Sequence, residues 1–162
     1  SQALSLLELS EEDTVLDLFC GLGNFTLASA RRAEKVVGVE GSQEMVLRGS
    51  ENASLNGLDN VEFHAADLFK SIESEDWATA QYSKIILDPP RSGAIEIIPE
   101  IAKLGAKIIV YVSCNPATLA RDAADLISAG YKLRATGVMD MFPHTTHVES
   151  MAVFDAGRRL QK

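Results

Sequence analysis

Short apolar runs alternate with amphipathic stretches along the whole chain, and that alternation predicts a βαβα protein. Residues 14–19 read as a first strand, and residues 24–32 as a helix with Phe25, Leu27 and Ala28 on its apolar side. A second strand over 35–39 ends at Glu40. Ser42 is then a natural N-cap for a helix that runs to about residue 55, where Asn56-Gly57 stops it. Residues 61–65 form a third strand, and 82–87 a fourth that must end at Asp88-Pro89-Pro90, because proline cannot donate to a ladder. A helix is expected over 95–104 despite Pro99, a fifth strand over 107–112, and a strongly amphipathic helix over 117–129 closed by Gly130. Residues 132–140 and 147–155 read as two consecutive strands joined by a Pro-containing loop, an antiparallel hairpin at one edge of the sheet.

Composition narrows the class. With 162 residues and 46% hydrophobic content, one domain with a real core is expected, and the apolar runs are too short to cross a bilayer. No basic-then-apolar leader opens the sequence, so a cytoplasmic setting is the expectation; a monomer is expected as well. Cys20 and Cys114 are the only cysteines, too few for a disulfide framework or a four-cysteine metal site, and no metal is expected. The formal charge of −8 means that this domain alone does not grip a polyanion by general electrostatics. The start at Ser1, running at once into the apolar stretch 3–9, gives the expectation of a piece of a longer polypeptide.

Two glycines, Gly21 and Gly23, stand directly between the first strand and the first helix, in Asp17-Leu18-Phe19-Cys20-Gly21-Leu22-Gly23-Asn24-Phe25. Small residues there let backbone approach a ligand at a helix N-terminus. Asp17, Glu40 and Asp67 fall near the carboxyl ends of three successive strands, and Glu40 holds the place where such folds bind a ribose diol. The series favours an adenosine-bearing cofactor, either NAD or S-adenosylmethionine. Thr26 stands where the dinucleotide fingerprint needs its third glycine, and a carboxylate at Asp17 attracts a sulfonium and an ammonium but repels a pyrophosphate. The methyl donor is therefore preferred.

Cys114 lies where the fifth strand stops and a helix starts, between Val112-Ser113 and Asn115-Pro116. Such junctions on the carboxyl edge of a parallel sheet bind ligands, and a helix N-terminus favours thiolate over thiol. Asp88-Pro89-Pro90-Arg91 is similar to the loop of amino-methyltransferases, but Arg91 replaces the aromatic that stacks on the target base in those enzymes. A cysteine at the next strand end points instead to covalent catalysis at a ring carbon. Cys20 is expected to be structural.

In Asp17 to Phe25, Leu87 to Gly93, Ser113-Cys114-Asn115-Pro116-Ala117-Thr118-Leu119-Ala120-Arg121-Asp122 and Asp140 to Ser150, the chain resembles the RNA uracil-5-methyltransferase family over essentially its whole length. The wording of these segments is nearer to members acting on large-subunit ribosomal RNA than to the transfer-RNA enzymes. The resemblance implies a Rossmann-like α/β methyltransferase fold: a mostly parallel seven-stranded sheet with an antiparallel C-terminal edge hairpin and helices on both faces. It implies S-adenosylmethionine as cofactor, bound by Phe19, Asn24, Glu40, Asp67 and Asp88, with Cys114 as nucleophile and Glu149 as base. Residues 1–162 would then be the catalytic domain, without the family's amino-terminal RNA-binding barrel, its central domain or, in some members, an iron–sulfur cluster. The implied partner is RNA, ribosomal RNA above all, gripped with the help of those other domains.

Uracil C5 is a poor nucleophile toward a methyl sulfonium until a thiolate adds at C6, and proton removal from C5 must then expel the sulfur, so such chemistry needs a nucleophile and a base. The target base has to leave its stack to reach a pocketed thiol. His144 and His147 have metal-like spacing but no third ligand nearby, and read as loop structure or RNA contacts. His64 reads as a core or surface residue, Met139, Met141, Phe142 and Met151 as packing, and Arg91 and Arg121 as possible phosphate contacts. Three other readings fit part of the sequence: a methyltransferase of base amino groups or proteins using the Asp88 to Arg91 loop, a non-catalytic nucleotide-binding domain, and a hydride-transferring oxidoreductase.

Overall fold

The structure is a computed structural model and describes residues 2–140 and 148–157. In chain order the elements are α1 (Gln2–Leu6), β1 (Thr14–Leu18), α2 (Asn24–Ala30), β2 (Lys35–Glu40), α3 (Gln43–Leu55), β3 (Val61–Ala65), β4 (Lys84–Leu87), α4 (Ile98–Ile101), β5 (Ile108–Ser113), α5 (Pro116–Ser128), β6 (Tyr131–Asp140) and β7 (Val148–Ala156). Short 3-10 turns at Asp76–Thr79 and Ala102–Leu104 complete it. The strands form one sheet in the order β3-β2-β1-β4-β5-β7-β6. β1 to β5 pair in parallel, and β7 runs antiparallel between β5 and β6.

Side chains that alternate along a strand line opposite faces, and both faces of the central strands β1, β4 and β5 are buried. Leu16, Leu18, Ile85, Leu87, Ile109 and Tyr111 join the larger core with Ile98, Ile101 and Leu126 from α4 and α5. Ile86, Val110 and Val112 face the other way, against Ala3 and Leu7 of the N-terminal segment and Met151 and Val153 of β7. Ala3 and Leu7 are fully buried, so the apolar stretch at 3–9 is part of this core and carries a helix that the pattern did not predict.

Element boundaries follow local chemistry. The Ser42 side chain caps α3 by accepting the Met45 N–H at 3.4 Å, and Gly130 follows α5 with φ 105°, as a C-terminal glycine should. The helix expected over 95–104 shrinks to one α-turn and one 3-10 turn, because Pro99 is tolerated only in a first turn and the helix starts just before it. The last two strands pair antiparallel as expected, but β7 lies inside the sheet and only β6 at its edge.

One aromatic ring organises the first half of the chain. Phe63 of β3 fills a space bounded by three glycines: a Cβ on Gly23, Gly38 or Gly49 would come within 2.7, 3.0 and 2.8 Å of the ring, respectively. Gly49 sits in the middle of α3, where alanine normally stabilises a helix by about 1 kcal/mol. Gly49→Ala is nonetheless expected to destabilise the protein by roughly 1–3 kcal/mol through overpacking. Urea unfolding would check this, and Phe63→Leu in the same background should recover most of the loss.

Candidate active site

The parallel strands deliver their carboxyl ends to one edge of the sheet. At that edge a cavity of about 550 Å³ is lined by Phe19, Glu40, Gly41, Met45, Asp67, Leu68, Phe69, Asp88 and Pro90. Four of the residues expected to hold a cofactor, Phe19, Glu40, Asp67 and Asp88, are thus brought to one wall. Phe69 and Met45 are exposed large apolar side chains, and the Phe69 ring tilts against Phe19 with centroids 5.7 Å apart. These two were not singled out in the sequence. Their signal is positional, since each lies within a few residues of a strand-end carboxylate.

Phe19 has φ 60°, a left-handed conformation that costs a non-glycine residue about 1–3 kcal/mol. Such strain persists where surrounding contacts over-determine it, and here those contacts aim the turn after β1 at the cavity. Glu40 shapes the same turn from below, accepting the Gly21 N–H at 3.0 Å through one oxygen and the Ser42 N–H at 3.2 Å through the other. Gly21 has φ 57° and open space where a side chain would be. Gly23 serves the protein's own packing, making room for Phe63, and it precedes Asn24 at the start of α2. Neither glycine nor Asn24 lines the cavity.

Asp17 lies beneath the turn. It is fully buried, with one oxygen accepting the Thr26 hydroxyl at 2.5 Å and the other, Oδ1, without a protein partner. Burial, opposed by that hydrogen bond and reinforced by the charges of Asp88 and Glu40, raises its pKa to about 7. Asp88 is raised to about 6, by burial first and then by the charge of Glu149. Asp67 is held below its ordinary value by the Phe69 N–H at 3.0 Å and by Lys70. The site is therefore an acidic pocket in which burial and neighbouring carboxylates raise the proton affinity of Asp17 and Asp88.

The nucleophile candidate stands one residue past the end of β5. Cys114 is exposed, whereas Cys20 is buried against Gly38, its thiol pushed far up by burial. The Ser113 hydroxyl brackets Cys114, accepting the Asn115 N–H at 3.0 Å and donating to the Asn115 carbonyl at 2.9 Å, and Asn115 caps α5 through the Ala117 N–H at 3.1 Å. Register supplies the rest. Ser113 pairs with Ser150 at the end of the antiparallel β5–β7 ladder, so Cys114 follows β5 at the same end of the ladder at which Glu149 precedes Ser150. The half-buried Glu149 thus shares the edge with Cys114, and its charge reaches Asp88.

Other expectations resolve less evenly. Arg121 is not a free phosphate contact: it bonds Asp122 and the Ser92 carbonyl. His64 lies partly buried beside Glu62 on β3. Met151 packs in the core, while Met141, Phe142, His144 and His147, and the side chain of Met139, lie outside the described residues. Among the described residues no group of His, Cys, Asp and Glu is arranged to hold a metal, and no helix is long and apolar enough to cross a membrane. Sequence reasoning missed Asp122, whose signal was a charged residue inside the apolar stripe Leu119, Asp122, Leu126 of α5.

A doubly wound sheet in this strand order, with an antiparallel penultimate strand and acidic strand ends around a cavity, defines the Rossmann-like methyltransferase fold. Solved structures agree: the precorrin-6y C5,15-methyltransferase from Geobacter metallireducens superposes with a TM-score of 0.77 at 15% identity, over 95% of this chain and 85% of that one. Within that class the chain belongs to the tRNA (uracil-5-)-methyltransferase family, whose model matches residues 2–156. It is 63% identical over 94% of its length to the 23S rRNA (uracil(1939)-C(5))-methyltransferase RlmD of Alcanivorax borkumensis, and 60% identical over 96% to that of Hahella chejuensis. It covers 34% and 36% of those proteins, so it spans about a third of the curated relatives it matches. The structure of the Pyrococcus abyssi tRNA (uracil-54, C5)-methyltransferase in complex with S-adenosyl-L-homocysteine has a TM-score of 0.78 at 32% identity, covering 94% of this chain and 38% of that one.

The buried acid has a measurable consequence. Asp17 titrates higher in the folded protein, about 7, than its ordinary 3.8, so the folded state binds the proton more tightly. This group's contribution is fully present below pH 4 and is lost as pH rises toward about 7. Asp17→Asn should remove that dependence and raise the stability of the ligand-free protein at pH 8 by roughly 2–4 kcal/mol. Urea unfolding at pH 5 and pH 8 decides it; equal pH slopes in both proteins would contradict the assignment.

Proposed function

We propose that this chain is the methyl-transfer domain of an RNA uracil-5-methyltransferase that uses S-adenosylmethionine and acts on large-subunit ribosomal RNA. The single observation that supports the reading is that the ends of β4 and β5 and the start of β7 fall at the edge of the sheet that carries the cavity, with Asp88 lining it and the charge of Glu149 reaching Asp88. The names of the relatives support the substrate, and the ligand in the Pyrococcus abyssi structure supports the cofactor. The gripping of RNA belongs to parts of the whole protein beyond this domain, whose net charge of −8 opposes a polyanion.

The cavity residues fit the cofactor by their chemistry. Phe69 and Met45 offer apolar surface to a flat base, and Glu40 and Asp67 offer carboxylate oxygens to a ribose diol. Asp17 Oδ1, buried and without a protein partner, and the raised acids at Asp17 and Asp88 together call for a positive ligand. When bound, S-adenosylmethionine supplies an electrophilic methyl group.

The chain's own residues do the remainder. The Cys114 thiolate adds to C6 of a flipped-out uracil, and the electron pair of the C5–C6 double bond moves toward O4, making C5 a carbon nucleophile. After C5 has gained its methyl group, the Glu149 carboxylate removes the C5 proton. The electrons of that C–H bond re-form the double bond and expel the sulfur from C6, which restores the thiolate. Asp88, next to both the cavity and Glu149, orients whichever of the two reactants meets it.

Substitutions in the full-length protein separate the two roles. Cys114→Ala is expected to lower turnover by about 10³-fold or more and to leave no covalent protein–RNA species. Glu149→Gln should lower turnover by about 10²–10⁴-fold while a methylated, covalent protein–RNA adduct accumulates, because elimination then lacks its base. Denaturing gel electrophoresis with labelled RNA reads both outcomes. Methylation that survives in Cys114→Ala would overturn the proposal.

A further inference from the structure

The loop that follows Asp88 is fastened to α5 by a set of bonds that no step of the proposed chemistry uses. The Arg91 carbonyl accepts from Asn115 Nδ2 at 3.0 Å and from Thr118 Oγ1 at 3.1 Å, and the Ser92 carbonyl accepts from Arg121 Nη2 at 2.9 Å. The Ala94 N–H donates to Asp122 Oδ2 at 2.7 Å, and the Tyr111 hydroxyl donates to the same oxygen at 2.5 Å. Arg121 closes the set through Nε on Asp122 Oδ1 at 2.9 Å. Asp122 itself is fully buried, at the point where the loop, β5 and α5 meet.

Gly93 lies at the centre of this clamp with φ 81°. A Cβ there would fall 2.6 Å from both Arg121 Nη2 and Asp122 Oδ2, so the loop sits against these side chains with no spare room. The two ends of the assembly are functional in the reading above. Asp88 is three residues before Arg91, and Cys114 immediately precedes the cap Asn115.

We propose that Asp122 is a positioning residue: it locks the 91–94 loop onto the start of α5 and so fixes Asp88 relative to Cys114. This rests on Cys114 being the nucleophile. Asp122 touches neither cavity nor thiol, so its effect passes through the loop. A buried carboxylate with several donors is a stiff anchor, because every donor that lets go leaves a desolvated charge under-paired. Stiffness is what such a site needs, since reacting groups displaced by a fraction of an ångström lose rate without losing affinity.

The test is single-turnover methyl transfer by the full-length enzyme at saturating RNA and S-adenosylmethionine, alongside calorimetric binding of S-adenosylhomocysteine and thermal unfolding. Asp122→Asn keeps the shape and the acceptor toward Ala94 but loses the charge that holds Arg121. The methyl-transfer rate constant is expected to fall about tenfold in Asp122→Asn and about threefold in Thr118→Val, which removes one bond to the Arg91 carbonyl. S-adenosylhomocysteine affinity should fall by clearly less than the rate constant, because Phe19, Glu40 and Asp67 hold it from other loops and only Asp88 and Pro90 of the cavity wall belong to the clamped one. A rate constant unchanged in Asp122→Asn, whatever happens to its unfolding temperature, would overturn the proposal, as would a rate loss matched by an equal loss of affinity. If Asp122→Asn does not fold, Thr118→Val decides by the same criteria. An inactive wild-type enzyme would instead sink the functional reading and is distinguishable on that ground.

Discussion

Parallel pairing of β1, β2, β4 and β5 forces each strand-to-helix turn onto one edge of the sheet, and the antiparallel insertion of β7 returns the chain to that same edge. The cavity and its chemistry depend on this constraint. Residues far apart in sequence, Phe19, Glu40, Asp67 and Asp88, line one cavity only because their strands end together, and Cys114 and Glu149 fall at the same edge. The register of β5 with β7 is the strictest part. A slip of one residue would turn every β7 side chain to the opposite face, exchanging Met151 and Val153 of one core for Ala152 and Phe154 of the other, which differ in size.

The edge so built is electrostatically unfinished. Burial raises the proton affinity of Asp17 and of Asp88, and the charges of Asp88 and Glu40 add to it at Asp17, as that of Glu149 does at Asp88. In a protein without a ligand such a cluster costs stability, and natural sequences retain costs of this kind where function repays them. The raised acids, the orphaned Asp17 oxygen and the strained Phe19 backbone fall within one turn of chain and its immediate neighbours. In the proposed reading they share one explanation, a cationic ligand seated on an apolar floor. The outer shell has the opposite character: Asp122 satisfies its donors completely and holds the loop after Asp88 still.

Much of the fold was legible in the chain because local signals agreed with one another. Ser42, Asn56-Gly57 and Gly130 bound their helices as capping chemistry requires, and short apolar runs mark the central strands β1, β2, β4 and β5. The site was legible to the extent that its residues stand at strand ends. What was not legible required knowledge of packing. Ala3 and Leu7 are too short a run to announce a helix, and their burial against β4 and β5 is a tertiary fact. The placement of β7 inside the sheet is a matter of topology, which a hairpin pattern does not specify. Gly23 looks like a ligand-facing glycine until Phe63 is seen beside it. Asp122 was visible as a charge on an apolar stripe, yet its partners come from Arg121, a loop 28 residues earlier and a strand, so only the folded structure shows what it does.

The central claim is that Cys114 attacks uracil, with the strand-end carboxylates arranged around it. It is tested most directly by incubating the full-length protein with S-adenosylmethionine and RNA carrying 5-fluorouridine at the target position, then mapping the trapped species by peptide mass spectrometry. The account predicts a nucleotide bearing both the fluorine and a new methyl group, bonded to the peptide that contains Cys114. A trapped nucleotide on Cys20 or on no cysteine, under conditions in which unsubstituted RNA is methylated, would contradict it.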